Sequence, residues 1–369
     1  MLSDLDNSKI FCDRTTKGTL MSQPDNDLTT TSKLQDTTPR LSLGSMLRSP
    51  AMGAFVGMVI VFLIFAMFGF HRNFLSIAGF ANWMNFASTV GLIAIPVAFL
   101  MIAGELDIST GAVLPASAMM LGITSGHYEL PMWLGILLTL TMAVLIGLVN
   151  GLLVTRTNVP SFIVTLATLF AVGGLTLALS DFLINNTNVS LYSPDWAKAV
   201  FGTRYFGFRS AVFWWIGLTV LFWFFLHKSP WGNWVFAVGG DAESARNAGI
   251  PVARLKIWLF ILCSVCTALA GMCQVIQFNS AQSATFFNMI FFTIIASVVG
   301  GVLLNGGMGS VSGVVFGTMT LGIVQQGINY TDIDRNLSLL IIGVMLLIAV
   351  LMNGTFQRIA TSWSTTKKK

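Results

Sequence analysis

Apolar residues in this chain come in blocks of about twenty, without the strict alternation of a half-buried strand. From Ala51 to Phe70 no residue but His71's neighbour Phe70 and its apolar predecessors appears, and none is charged. A helix of about 20 such residues is what roughly 30 Å of hydrocarbon requires. Blocks of this kind and their polar interruptions predict ten spans, at about 51–70, 83–103, 109–125, 132–154, 160–180, 211–227, 256–278, 288–304, 310–329 and 336–352. The third and eighth are short and interrupted, by Pro115 and by Gly300 with Gly301, so they are expected to be bent or to cross only part of the bilayer. The fold class that follows is an all-α integral membrane protein with about ten transmembrane helices, residues 50–354 forming the membrane domain.

Composition agrees with the pattern. Of 369 residues, 54% are hydrophobic and 9% charged, against roughly a quarter charged in soluble chains. Residues 1–49 are polar and hold too few apolar side chains for a core, so they are expected to be a disordered cytoplasmic tail; 355–369 form a basic one. A secretory signal is not expected, because the first apolar block begins only at Ala51. With the N-terminus inside and ten spans, fifteen of the twenty Lys and Arg residues fall on the inner side, and Arg72, Lys198, Arg204, Arg209 and Arg335 fall outside. That asymmetry follows the positive-inside rule and puts both termini in the cytoplasm. The basic residues are scattered among short loops, which leaves no nucleic-acid footprint.

Five spans per half suggest an inverted five-plus-five repeat, with the interrupted third and eighth spans in corresponding places. Trp83, Trp133, Trp214, Trp215 and Trp258 lie near span ends, as interfacial anchors do. Cys263, Cys266 and Cys273 share one apolar stretch, where thiols serve packing; the C-x-x-C they include has no histidine or second cysteine pair to complete a metal set.

Several groups of residues carry candidate chemistry or packing. The inner segment Asp241 to Pro251 reads as a short helix: Asp241 is a good N-cap, Gly249 suits the left-handed position after the last turn, and Pro251 forbids continuation. Such a stub either docks into a partner or lies on the membrane as a connector. Glu105, Asp107 and Ser109 precede the third span, where they either cap free amides or border an inner gate. Polar residues inside spans, Asn85, Ser88, Thr89, Thr165, Thr168, Gln274, Gln277, Asn279, Gln325, Gln326 and Asn329, are candidates for a solute path, the alternative being hydrogen bonds between helices. Phe286, Phe287 and Phe291 are candidates to stack on a sugar face. Gly309, Gly313 and Gly317, four residues apart, present bare backbone for close helix packing, within the chain or against a second copy.

The chain has no G-x-x-x-x-G-K-[ST], so it does not cradle nucleotide phosphate in the P-loop manner. His71, His127 and His227 are scattered, and no acidic or basic relay lies at the span centres, which weighs against an ion-coupled carrier. A membrane-embedded enzyme acting on a lipid-linked substrate would need a cluster of acids, histidines or a nucleophile at one interface, and only Glu105 and Asp107 come close.

Four stretches in order resemble the permeases of ABC importers of the ribose, xylose and autoinducer-2 type, in the branched-chain amino acid/ribose permease superfamily. They are Gly104 to Ala112 (GELDISTGA), Ser161 to Leu179 (beginning SFIVTLAT), Asp241 to Ile250 (DAESARNAGI), and the glycine-rich run from Gly300 through Gly317. The chain departs from the family where Gly173 and Gly174 replace Arg-Gly and where Val302 or Leu303 stands at a polar position. The resemblance implies a type II importer-like, non-catalytic subunit of the inner membrane that binds no cofactor itself. It implies cytoplasmic ABC ATPase subunits using ATP and Mg, which grip Asp241, Glu243, Ser244, Arg246, Asn247, Gly249 and Ile250. It implies a second permease subunit as a homodimer or heterodimer, a periplasmic or extracellular solute-binding protein, surrounding membrane lipids, and a small sugar or sugar-like solute.

Overall fold

The computed structural model describes residues 50–283, 287–331, 334–345 and 347. The proposed tails at 1–49 and 355–369, Phe286, and the end of the tenth span lie outside the described residues. Among the described residues the chain is helical, with two small two-stranded sheets.

In chain order the helices are α1 (Pro50–Gly69), α2 (Ile77–Ile102), α3 (Thr110–Leu121), α4 (Met132–Arg156), α5 (Ser161–Ile184), α6 (Ser210–Lys228), α7 (Pro230–Gly240), α8 (Ala242–Asn247), α9 (Val252–Phe278), α10 (Phe287–Val299) and α11 (Val311–Gly327); residues 338–345 are also helical. Among the described residues seven helical segments, those built on α1, α2, α4, α5, α6, α9 and α11, are long and apolar enough to cross a membrane. The third expected span is a twelve-residue helix that widens into a looser turn over Gly122–His127, and the eighth stops at Val299, before Gly300 and Gly301. The glycine pair thus ends the eighth helix early, whereas Pro115 lies inside α3, which runs on through it.

Two helices form the centre. Every residue from Val90 to Ile102 of α2 is buried, and α9 buries most of its length. Both are apolar around most of their circumference, so no side needs to face a polar phase. α9 packs on α4, α3 and α2, while α11 packs on α2, α1 and α10. By contrast α1 and α5 leave Leu63, Met67, Phe170 and Leu175 uncovered, as helices facing lipid do.

The glycine face of α11 meets its own chain. A Cβ on Gly313 would collide with the Gly300 carbonyl, and one on Gly317 with that of Ala296, so α10 and α11 touch backbone to backbone. Two expectations need correction. Trp83 and Trp215 are buried in the core and not interfacial; Trp215 fills the space left by Gly91, whereas Trp133 and Trp258 are exposed. The segment 228–255, read from sequence as a loop with one stub helix, contains two helices, because Ser229 caps α7 at Gly232 N and Pro230 supplies its first residue.

Candidate functional site

On the face of the molecule away from α8, strand β1 (Asn188–Ser190) pairs antiparallel with β4 (Ser280–Gln282), and β2 (Arg204–Tyr205) pairs with β3 (Phe208–Arg209). The second pair is a hairpin closed by Phe206 and Gly207, both at positive φ (54° and 90°), the two-residue turn whose twist suits adjoining strands. Asn85 of α2 holds this hairpin at two points. Its Nδ2 donates to the Gly207 carbonyl at 3.1 Å, and its Oδ1 accepts from the Arg209 backbone N–H at 2.8 Å.

Below the hairpin lies a cavity of ≈ 210 Å³, larger than the roughly 150 Å³ cavity that admits a benzene ring. Asn82, Asn85, Phe86 and Thr89 of α2 line one wall, spaced three and four residues apart and so on one helix face. Gln274, Gln277 and Phe278 of α9 line another, with Arg209, Met289 and Gln326 completing it. Gln274 Oε1, Gln277 Nε2 and Arg209 Nε are buried without a hydrogen-bond partner among the described residues. Buried polar atoms are nearly always paired, so three unpaired ones around one cavity leave hydrogen-bonding capacity there for water or a polar guest. The Arg209 guanidinium lies over the Phe278 ring, 5.2 Å from its centroid.

Of the residues expected on a solute path, the structure brings Asn85, Thr89, Gln274, Gln277 and Gln326 to this cavity. Asn329 reaches it indirectly, donating to Gln326 Oε1 at 3.3 Å. Gln325, on the same helix, keeps a buried unpaired Oε1 away from the cavity lining. Asn279 ends α9 in the left-handed region and accepts the Leu191 amide on its carbonyl. Ser88 and Thr89 hydroxyls both donate to the Asn85 carbonyl, within their own helix. Phe291 is exposed on α10. The sequence offers no sign of Asn82 in this site, and it presents Arg209 only as an outer-loop charge.

Thr165 and Thr168 serve a different assembly, around the loop from Gly104 to Ser109. Thr165 Oγ1 accepts the Ile108 amide at 3.1 Å, and Ser161 Oγ accepts that of Leu106 at 3.1 Å. Asp107 is buried; its Oδ1 accepts the Ser109 amide at 2.9 Å and the Ser109 hydroxyl at 2.6 Å. Asn150 Nδ2 donates to Ser109 Oγ at 2.9 Å, and Thr168 Oγ1 donates to Asn150 Oδ1 at 2.6 Å. This chain of bonds ties the loop to α4 and α5. The Cys263 thiol of α9 lies beside the Asp107 carboxyl, although Asp107 Oδ2 makes no hydrogen bond of good geometry. Glu105 forms an ion pair with Lys256 in the first turns of α9.

The same face carries α8. Asp241 Oδ1 accepts the amides of Glu243 (2.9 Å) and Ser244 (3.2 Å), and Ser244 Oγ donates to Asp241 Oδ2 at 2.6 Å. Those hydrogen bonds, the Ser244 hydroxyl first, hold the Asp241 carboxyl below its ordinary pKa. At the other end Gly249, at φ +86°, lets the chain turn so that the Ile250 amide reaches the Ala245 carbonyl at 3.0 Å. Only Ala245 is buried; Glu243, Ser244, Arg246 and Asn247 face outward. The helix is firmly capped and its polar surface is open.

α7 joins α8 to the core. A Cβ on Gly239 would collide with the Ile102 carbonyl at the end of α2, and Ile102 O also accepts the Gly307 amide at 2.8 Å. The end of α2, the end of α7 and the loop after α10 therefore meet at one point.

A family model described as branched-chain amino acid transport system / permease component matches residues 79–350. The ribose import permease protein of Bacillus subtilis (strain 168) is 30% identical over 326 residues, covering 88% of this chain and 98% of that protein. The L-arabinose transport system permease protein of Escherichia coli (strain K12) is 30% identical over 305 residues, covering 82% and 91%. The autoinducer 2 import system permease protein of Enterobacter sp. (strain 638) is 30% identical over 264 residues, covering 71% and 80%. No solved structure matches the chain.

Proposed function

The chain belongs to the permease-component family of branched-chain amino acid transport systems, and on that premise we propose that it forms the translocation path of a binding-protein-dependent ABC importer for a small sugar or sugar-like solute. The relatives named for ribose, arabinose and autoinducer 2 import support this solute class. The observation that carries it to particular residues is the cavity between α2 and α9, with the unpaired polar atoms of Gln274, Gln277 and Arg209 on its wall. Hydroxyl-rich solutes satisfy amides as both donors and acceptors, and Phe86 and Phe278 offer apolar faces for a sugar ring.

As a permease subunit it is non-catalytic, and ATP with Mg is used by separate cytoplasmic ATPase subunits. They engage α8 through Asp241, Glu243, Ser244, Arg246, Asn247, Gly249 and Ile250. The open polar surface of a well-capped stub supports that role. Displacement of α8 would act on the loop 104–109 by two routes: through the start of α9 to the Glu105–Lys256 pair, and through α7 to the contact of Gly239 with Ile102. Glu105, Asp107 and Ser109 thus belong to an inner gate whose local structure is held by capping.

We further read ten membrane passages as an inverted five-plus-five repeat. The central helices α2 and α9 would be the second of each half, and the short helices α3 and α10 the third, which is the support for that pairing. Both termini lie in the cytoplasm and the chain sits in the bacterial inner membrane, as the charge asymmetry argues. A second permease subunit and an external solute-binding protein complete the importer. The test is co-purification with the ATPase subunits: Glu243→Arg and Gly249→Val should release them, and retained assembly with unchanged uptake would refute the coupling role.

A further inference from the structure

We propose that Arg209 is the anchor of the solute site, and that the solute presents to it a pair of adjacent acceptor oxygens together with at least one hydroxyl for the neighbouring amides. This rests on the cavity being the solute path.

The backbone around Arg209 is fixed more firmly than an outer loop needs. The turn at Phe206 and Gly207 closes the hairpin, Asn85 grips Gly207 O and Arg209 N, and Ser210 bonds Thr203 O through both its amide and its hydroxyl at 2.9 Å. A bulky residue such as Phe206 at positive φ is strained, and it is almost wholly exposed, so its own packing does not account for the turn. What the turn places is Arg209.

The charge around it is one-sided. Among the described residues no carboxylate lines the cavity. Arg204 stands directly across the hairpin from Arg209, and like charges so placed repel. Burial, and then the charge of Arg204, pull the Arg209 pKa below its ordinary value. A half-buried cation with no carboxylate partner among the described residues wants acceptor oxygens, and a guanidinium offers parallel N–H groups that suit two neighbouring ones. Nε is one of those donors and it is unpaired. Stacking on Phe278 leaves the edge of the fork available while steadying its plane.

Two kinds of solute carry adjacent acceptor oxygens: a vicinal diol of a neutral sugar, and the carboxylate of a sugar acid. Gln274 and Gln277 narrow either to a hydroxylated molecule, because each amide brings an acceptor as well as donors.

The test is uptake by cells carrying the complete importer, with labelled D-ribose, L-arabinose and D-ribonate as probes, for wild type, R209M, R209K, Q274L and Q277L. Membrane abundance and ATPase co-purification serve as controls. R209M should lower uptake of the transported probe by about tenfold or more, the loss typical of a hydrogen bond to a charged group. Equal loss of an aldose in R209K identifies the diol, since lysine lacks the fork; ribonate uptake partly kept by R209K identifies the carboxylate. If R209M does not assemble, R209K decides, and its wild-type uptake of every transported probe overturns the anchor. Wild-type uptake in R209M overturns it too, and so does a wild-type importer that takes up none of the three. Loss in Q274L or Q277L with no loss in R209M removes the anchor but keeps the cavity. No loss in any of the variants removes both.

Discussion

The side chain of Asn85 spends both ends of its amide on the backbone that carries Arg209, accepting the Arg209 N–H at 2.8 Å and donating to the Gly207 carbonyl at 3.1 Å. Asn85 was legible in the sequence as a polar residue inside a span. Its role as the mount for a cation 124 positions later was not.

Asn85→Leu should therefore mimic loss of Arg209. It removes both hydrogen bonds and leaves the Arg209 amide unpaired, a cost of about 1–3 kcal/mol. Uptake should fall although Gln274 and Gln277 remain. Asn85→Asp keeps the acceptor for the amide and should lose less. Uptake and thermal unfolding of the detergent-solubilised protein check both; a stable, fully active Asn85→Leu would show that the hairpin needs no mount.

At the junction of α2 and α7, Gly239→Ala should destabilise by about 1–3 kcal/mol, as overpacking does, because the added Cβ meets the Ile102 carbonyl. Gly240→Ala, whose Cβ would meet nothing within 4 Å, should stay within about 1 kcal/mol of wild type. Unfolding curves of the two variants separate a steric junction from a general need for glycine.

Asp241 makes α8 sensitive to acid. Its carboxyl is lowered below the ordinary value by the Ser244 hydroxyl and by the Ser244 and Glu243 amides. The cap is therefore fully formed above the unfolded-state value of about 3.9 and is lost as pH falls through the lowered native value. Hydrogen exchange at residues 243–245 should show protection that disappears on acidification. In Asp241→Asn it should lose that pH dependence, and in Asp241→Ala protection should be weak at every pH.

The buried Asp107 is expected to act by capping. Asp107→Asn keeps an acceptor for the Ser109 amide and should preserve folding and uptake. Asp107→Ala leaves that amide unpaired and breaks the chain through Ser109 to Asn150, lowering stability by about 1–3 kcal/mol. Failure of Asp107→Asn in uptake with normal folding would assign a role to the charge itself. For the neighbouring pair, Glu105→Lys and Lys256→Glu should each reduce uptake, and the charge-swapped double variant should recover part of it.

What the sequence made readable was whatever local spacing determines. The stub helix at α8 followed from Asp241, Gly249 and Pro251, and Gln274 and Gln277 were legible as polar residues inside a span. Tertiary juxtaposition was hidden. Trp83 and Trp215 stand where interfacial anchors stand in a linear reading, yet packing against Gly91 and neighbouring helices buries them. Thr165 and Thr168 read as path residues in the sequence, whereas in the structure Thr165 accepts the Ile108 amide of the loop and Thr168 donates to Asn150 of α4. Arg209 was one of five outer positive charges, and only the pairing of β2 with β3 and the reach of Asn85 turn it toward the cavity.

The central claim is that solute passes between α2 and α9. Its most direct measurement is ATP-dependent uptake by the complete importer in which Gln274 and Gln277 are both replaced by Leu, with ATPase co-purification measured on the same preparation. The account predicts an assembled complex that no longer transports; an assembled complex that transports as wild type does would contradict it.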